Sequence, residues 1–201
     1  MPSITALRAD KRGMSITEFG LIAPVFFTLL LGALDLGFSL YMQSVLQGVV
    51  QKTARDSGLE NGSVAATQTA LDATVTARVK ELAPNATVQI TRRYFKDFST
   101  AAQAKAENFT DTNGDGTCNA GEPYEDANNN NNWDRDGGNS GQGGAKDVVV
   151  YTADISFPRY FPMAKLIGMS STVNVQAVTV LANQPYGDQS KYGAATVRNC
   201  T

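Results

Sequence analysis

The chain is expected to fold as an α+β protein: a long N-terminal transmembrane and amphipathic helix, a second helix, and a small three-stranded antiparallel sheet interrupted by a long insertion. Three observations predict this. A nearly charge-free apolar run opens the chain, a helical apolar spacing follows at residues 64–82, and three β-rich stretches lie beyond it. The 201 residues, 42% hydrophobic and 18% charged, suffice for one soluble domain and an appended element.

The long helix comes first. Phe19 to Leu34 is free of charge, Asp35 follows, and Leu36 to Gln51 is again uncharged. Sixteen residues at 1.5 Å each cover only about 24 Å of a hydrocarbon core about 30 Å thick. Asp35 therefore lies about 25 Å beyond Glu18, near the opposite boundary, where a carboxylate reaches headgroups and water. An interfacial role and a helix-pairing role are both open for it. Beyond Asp35, Leu36, Leu40, Leu46, Val49 and Val50 alternate with Ser39, Gln43, Ser44 and Gln47, so the helix is expected to leave the membrane and dock on a head. Pro24 permits a kink. Arg8, Lys11 and Arg12 against Asp10 precede the span, which by the positive-inside rule keeps residues 1 to 13 cytoplasmic and exports the rest. No A-x-A pattern follows the run, which disfavours ordinary signal cleavage.

The stretch GLENGS at 58–63 punctuates the chain. After it Val64, Leu71, Val75, Val79 and Leu82 mark an amphipathic helix, with Ser63 as its expected cap and Pro84 as its stop. Strands are expected at Thr87–Phe95, Asp147–Phe157 and Thr172–Leu181. In the third, Val173, Val175 and Ala177 change phase to Val178 and Val180, which predicts a bulge or burial on both faces. The apolar, aromatic FPRYFPMAKLIGM between the last two strands is expected to cover the core; a partner-facing or membrane-skimming patch is the alternative.

Composition narrows the function. With no histidine, imidazole bases, His-dependent triads and His-ligated zinc are excluded. The net charge of −2 and the lack of a Lys/Arg-rich stretch argue against nucleic acid as a partner. The protein is expected not to be an enzyme. Cys118 and Cys200 form neither a CxxC redox motif nor a zinc knuckle, and a single disulfide is the natural pairing in an exported domain. Closing a loop of about 82 residues would contribute about 4.5 kcal/mol in the chain-entropy model.

The insertion carries its own motif. DTNGDGTCNAGE at 111–122 fits the calcium-loop pattern D-x-[DN]-x-[DN]-G-x5-E. The expected oxygen ligands are Asp111, Asn113, Asp115, the Thr117 carbonyl, Asn119 and a bidentate Glu122, with Gly116 at the sharp turn. Asp126, Asn128, Asn130, Asp134 and Asp136 repeat the alternation without the glycine or the final glutamate; a second calcium or a flexible asparagine-rich spacer is expected there. A helix is conceivable in STAAQAKAEN before the loop, but Pro123 and the asparagine run leave none after it. A structural clip therefore fits better than a sensor, with a dissociation constant on the order of 10⁻⁴ to 10⁻³ M. Hydrolase chemistry on these carboxylates is the weaker reading, since calcium ligation accounts for them.

A short basic tail ending in Gly13, then Met14 to Thr17, Glu18 and an apolar helix resembles the prepilins cut by a membrane-embedded prepilin peptidase. RGMSITEFGLIAPVFFTLLLGALDLG, with Tyr41 and TAR at 53–55, more closely resembles the TadE-like pilus assembly proteins of the tight adherence (Tad/Flp) system. VNVQAVTVLANQPYG, near the C-terminus, is similar more weakly. The resemblance implies a pilin-like fold and cleavage after Gly13, with Met14 as the new N-terminus and Glu18 as its fifth residue. In a filament Glu18 could face the α-ammonium of a neighbouring Met14, because burying both charges together avoids the cost of burying either alone. The alternative is a helix-start glutamate near the positive dipole end. The implied division is a cytoplasmic leader 1–13, a transmembrane and extended helix 14–57, and an exported head 58–201 with its insertion at 99–145. The implied protein is a minor pilin or pseudopilin of a type IV pilus in the bacterial inner membrane, partnered by other pilins, the assembly machinery and the peptidase. A single-pass, periplasmic calcium-binding module acting outside any filament is the competing expectation.

Overall fold

The computed structural model of the protein describes residues 14–59, 64–161, 168–184 and 187–201. Helix α1, Met14–Ser57, runs unbroken through Pro24. It contains one window apolar enough to cross a membrane, with mean hydropathy 2.0 and none of that window buried. Its polar side chains there turn inward on the backbone: Thr28 donates to the Pro24 carbonyl at 2.7 Å and Ser39 to the Asp35 carbonyl at 2.9 Å. A hydroxyl satisfied four residues back costs little in an apolar medium.

The chain forms two compact units. One comprises Met1–Tyr41 with Pro158–Val173; the other comprises Met42–Phe157 with Asn174–Thr201. In the second unit Met42, Leu46, Val50, Ala54 and Ser57 of α1 are all at most 2% exposed. Their spacing of 4, 4, 4 and 3 is helical, but of the stripe expected from the sequence only Leu46 and Val50 belong to it: Leu36 and Leu40 are exposed and Val49 is half-buried. Each large apolar member contributes about 1.5 to 3 kcal/mol by burial. Gln43 and Gln47 flank the stripe and donate to the carbonyls of Gln176 and Val178 at 2.8 and 3.3 Å.

Helix α2, Ala65–Leu82, buries Val75 and Val79 and ends just before Pro84. Its cap is Val64 rather than Ser63, and no side chain caps it. Ser63 lies outside the described residues. Strand β1, Thr87–Phe95, is followed by α3, Phe98–Gln103, capped by the Asp97 carboxylate on the Thr100 N–H at 2.8 Å. Hydrogen bonds from the Ser99 hydroxyl and then from the Thr100 backbone and hydroxyl hold the Asp97 carboxyl down at about 2. The remaining strands are β2 (Pro123–Asp126), β3 (Asn139–Ser140), β4 (Val148–Pro158), β5 (Thr172–Ala182) and β6 (Thr196–Asn199).

The main sheet has four strands in the order β3-β1-β4-β5, and β2 and β6 form a second, two-stranded sheet. The expected three strands are β1, β4 and β5; the additional ones are too short to show a period-two pattern. β1 and β4 pair antiparallel from Thr87 opposite Ser156 to Phe95 opposite Val148. Val149, Tyr151, Ala153, Ile155 and Phe157 of β4 all point into the core. β5 keeps one phase throughout: Val173, Val175 and Ala177 are buried, while Val178 and Val180 stand 42% and 46% exposed. The expected bulge or two-faced burial is therefore replaced by regular alternation with two valines on the open face.

An ion pair ties α2 to this sheet. Arg92 on β1 reaches Asp72 with two nitrogens, at 2.9 and 2.5 Å, and lies 4.8 Å over the Tyr151 ring. The Tyr151 hydroxyl donates to the same carboxylate at 3.1 Å. Desolvation first, and then the Asp72 charge, push the phenol above its usual range. Asp72→Ala would leave an arginine whose side chain is only 8% exposed without its carboxylate. The expected loss is about 2 kcal/mol of unfolding free energy, read from the denaturant midpoint of the full chain in detergent, with Asp72→Asn losing less.

Candidate functional site

The insertion between β1 and β4 is organised around carboxylates that gather N–H groups. Asp111 accepts from the N–H of Gly114 at 2.6 Å and of Gly116 at 2.9 Å. Asp115 accepts from the Thr117 N–H at 2.8 Å, and Asn113 from the Asp115 N–H at 2.9 Å. Gly116 has φ +74°, the left-handed turn that a side chain disfavours. Glu122 is 2% exposed and closes the loop. One of its oxygens accepts from the Thr112 N–H and hydroxyl at 2.7 and 3.0 Å and from the Asn113 N–H at 3.3 Å; the other accepts from the Asn119 N–H at 3.2 Å. Desolvation pushes its pKa up, but these donors outweigh it and hold the carboxyl below its usual range.

The side-chain amides complete the pattern. Asn113 donates to Asp115 and to the Asn119 oxygen at 3.0 Å, and Asn119 donates to Asp115 at 2.7 Å. Amide hydrogens thus sit between the expected ligand oxygens, where a cation would take their place once the two amides turned their oxygens inward. Oxygen donors of this kind, three carboxylates, two amides and a carbonyl, fit calcium chemistry. Among the described residues no group of three or more Asp, Glu, Cys or His side chains is drawn together enough to hold a metal.

The second acidic cluster is met differently. Asp126 is fully buried and pairs with the Nε of Arg198. Arg93 bridges Asp134 and Asp136 and also donates to the Gly138 carbonyl. Burial opposes ionisation of Asp136, but Arg93 outweighs it and holds the carboxyl low. Asn128 and Asn130 both donate to Asp134, at 2.8 and 2.5 Å. Glu107 underlies the cluster, accepting from the N–H groups of Ala127 and Asp134 at 2.8 and 3.0 Å. Desolvation, with the charges of Asp134 and Asp126 nearby, lifts its pKa above the usual value. No local pattern marked Arg93, Arg198 or Glu107. The first two lie on strands whose partners are remote in sequence, and the third lies in an ordinary polar stretch.

The whole loop is stapled to the C-terminus. Cys118 and Cys200 are disulfide-bonded with Cα atoms 5.6 Å apart, as their pairing in the sequence predicts. The Gly121 N–H donates to the Cys200 carbonyl at 3.0 Å and the Cys200 N–H to the Glu122 carbonyl at 2.8 Å. β2 then pairs antiparallel with β6 from Pro123 opposite Asn199 to Asp126 opposite Thr196.

At the other end of the chain, Gly13 lies outside the described residues. Met14 is the first residue of α1, and Glu18 follows one turn later on the same side of the helix, with both exposed. Of the stretch 157–169, residues 162–167 lie outside the described residues; Phe157 is 2% exposed and joins the core, whereas Tyr160 and Met169 are 52% and 45% exposed.

These features define a class: an α+β protein with an N-terminal helix apolar enough to anchor it in a membrane and a disulfide-stapled acidic insertion. Residues 13–55 match the family model described as TadE-like protein, so this stretch of the chain is similar to that family. The match takes in nearly all of α1. No curated protein and no solved structure matches the chain.

The staple yields a prediction. Replacing both cysteines by serine should lower stability by about 2 to 4 kcal/mol in denaturant titrations, and limited proteolysis should then cut first between residues 111 and 122.

Proposed function

We propose that the protein is a minor pilin or pseudopilin needed to assemble a tight adherence (Flp type IV) pilus. The observation that carries this reading is the TadE-like match at residues 13–55, which spans Gly13, Met14 and Glu18. On this reading residues 1–13 are a cytoplasmic leader removed after Gly13 by a prepilin peptidase. The helix 14–57 is held in the inner membrane, and a pilin-like head lies in the periplasm. Other pilins and the assembly machinery are the partners, and the role is structural rather than catalytic.

Charge bookkeeping supports the processing step. Arg8, Lys11 and Arg12 are the only cationic side chains before Lys52. Cleavage after Gly13 would remove all three and create an α-ammonium at Met14, four residues before Glu18. A second copy packed alongside would offer the same ammonium to Glu18, and burying the two together costs less than burying either.

The head, on the same reading, is stiffened by one calcium ion held by Asp111, Asn113, Asp115, the Thr117 carbonyl, Asn119 and Glu122. In the second cluster Arg93 and Arg198 already pair with Asp134, Asp136 and Asp126, so this reading assigns the ion to the first loop. Calcium would supply the positive charge that the amide hydrogens of Asn113 and Asn119 provide only in part.

Glu18→Ala should insert in the membrane at the normal level yet leave cells with few or no sheared surface filaments; a normal pilus count in that variant overturns the assembly role. Millimolar calcium should raise the melting temperature of the full chain in detergent by a few degrees, and Glu122→Gln should remove that rise. Melting curves that coincide with and without calcium overturn the ion.

A further inference from the structure

Asp35 is the only charged side chain between Phe19 and Gln51, and it is not alone in space. Arg159, just beyond β4, forms an ion pair with it, and the two side chains are only 12% and 14% exposed. Arg159 also donates from Nε to the Ser170 carbonyl at 2.9 Å, and its backbone N–H donates to the Ser171 carbonyl at 2.9 Å. One arginine thus joins α1 to both ends of the connection that leaves β4 and enters β5. Next to it the Tyr160 ring meets Phe38 edge-on, with centroids 4.9 Å apart. Ala33, Gly37, Phe38, Tyr41, Tyr160 and Phe161 line an open, almost wholly apolar groove of about 610 Å³. Leu36, Leu40 and Met169 add 58%, 70% and 45% exposed apolar surface in the same unit.

The depth of this patch follows from counting. About 30 Å of hydrocarbon takes about 20 helical residues, and from Phe19 that count ends at Phe38. Phe38, Tyr41 and Tyr160 therefore stand at the far headgroup level, where amphipathic rings are favoured. A lone carboxylate at that depth would be costly, whereas one neutralised by a guanidinium whose Nε is also hydrogen-bonded costs less. The apolar surface is continuous with the membrane-crossing face of α1, so the solvent that covers one covers the other.

We propose that Tyr160 and Phe161, just beyond β4, make a second membrane contact. Their rings enter the headgroup and acyl boundary of the outer face of the bilayer, lipid acyl chains fill the groove, and the Asp35–Arg159 pair cancels the charge carried to that depth. This rests on the reading of α1 as a membrane-spanning anchor.

The test uses the full chain in phosphatidylcholine vesicles that carry a nitroxide quencher either near the headgroup or near the bilayer centre. Two variants, Tyr160→Trp and Leu30→Trp, are compared, with the emission of the unsubstituted chain, which holds only Trp133, subtracted. The tryptophan at 160 should be quenched about twofold more by the shallow label than by the deep one, as expected of an interfacial ring, and the tryptophan at 30 should show the reverse. Adding Arg159→Gln should remove most of the quenching at 160. If position 30 is quenched by the deep label and position 160 by neither, because water or another protein covers the patch, the second contact is overturned and the anchor stands. If neither position is quenched, the anchor reading falls with it.

Discussion

One helix changes from apolar on every side to apolar along a single stripe, and the core of the head depends on that change. From Met14 to Tyr41 α1 is exposed on nearly every side and nearly free of charge; an isolated helix of that composition belongs in lipid. From Met42 onward the same helix buries one stripe and turns its glutamines to the edges. The change needs no break in the backbone, only a change from apolar all round to apolar on one side. The last four turns are therefore part of the head's core. The head's sheet would face water without Leu46 and Val50, each of which is fully buried.

The insertion answers a different problem, how to order a long polar segment that has almost no apolar residues to bury. Loop entropy opposes this, and the chain counters it with pairing rather than packing. Phe109 and Trp133 meet edge-on at 5.4 Å and Trp133 donates to the Glu107 carbonyl at 2.9 Å, giving the segment its small apolar centre. Around them the carboxylates each find donors: Asp126 from Arg198, Asp134 and Asp136 from Arg93, and Glu107 from backbone N–H groups. Buried carboxylates so satisfied stay soluble in the interior because their charge is matched locally. The asparagines extend this chemistry. The Asn128 and Asn130 side chains accept from the N–H groups two residues on, and their amides donate to Asp134 without adding net charge.

Much of this was legible in the sequence where the signal is local. Thr87–Phe95 alternates and forms a strand of those bounds; Val75 and Val79 at helical spacing are buried; Cys118 and Cys200 had only each other. What escaped was non-local or very short. β2 and β6 are four residues each and separated by about seventy, and β3 is two residues long; no periodicity can be read from such pieces. Val178 and Val180 misled because valine favours strands whether or not its face is covered. Ser63 looked like a cap because residue type favours it, but Val64 occupies that position and the helix starts without a side-chain cap. Asp35 was readable as a misplaced charge, yet its partner Arg159 lies 124 residues away, and only the fold brings the two together.

The two carboxylates of α1 can be compared directly. Asp35 has a guanidinium supplied by its own chain, from a connection that two further hydrogen bonds hold in place. Glu18 has no cationic side chain between itself and Lys52, and on the proposed reading the basic residues before it leave with the leader. The new ammonium at Met14 lies one turn away on the same helix, at its positive end, where the unpaired N–H groups already attract a carboxylate. An internal contact there would leave both groups on the exposed side of a single helix, still facing lipid or solvent. Packing against the equivalent turn of another copy removes both from that exposure at once and requires one axial register, since a shift of one turn parts the charges by about 5.4 Å. On the proposed reading, the carboxylate at the outer boundary is settled within the chain and the one at the inner boundary by assembly.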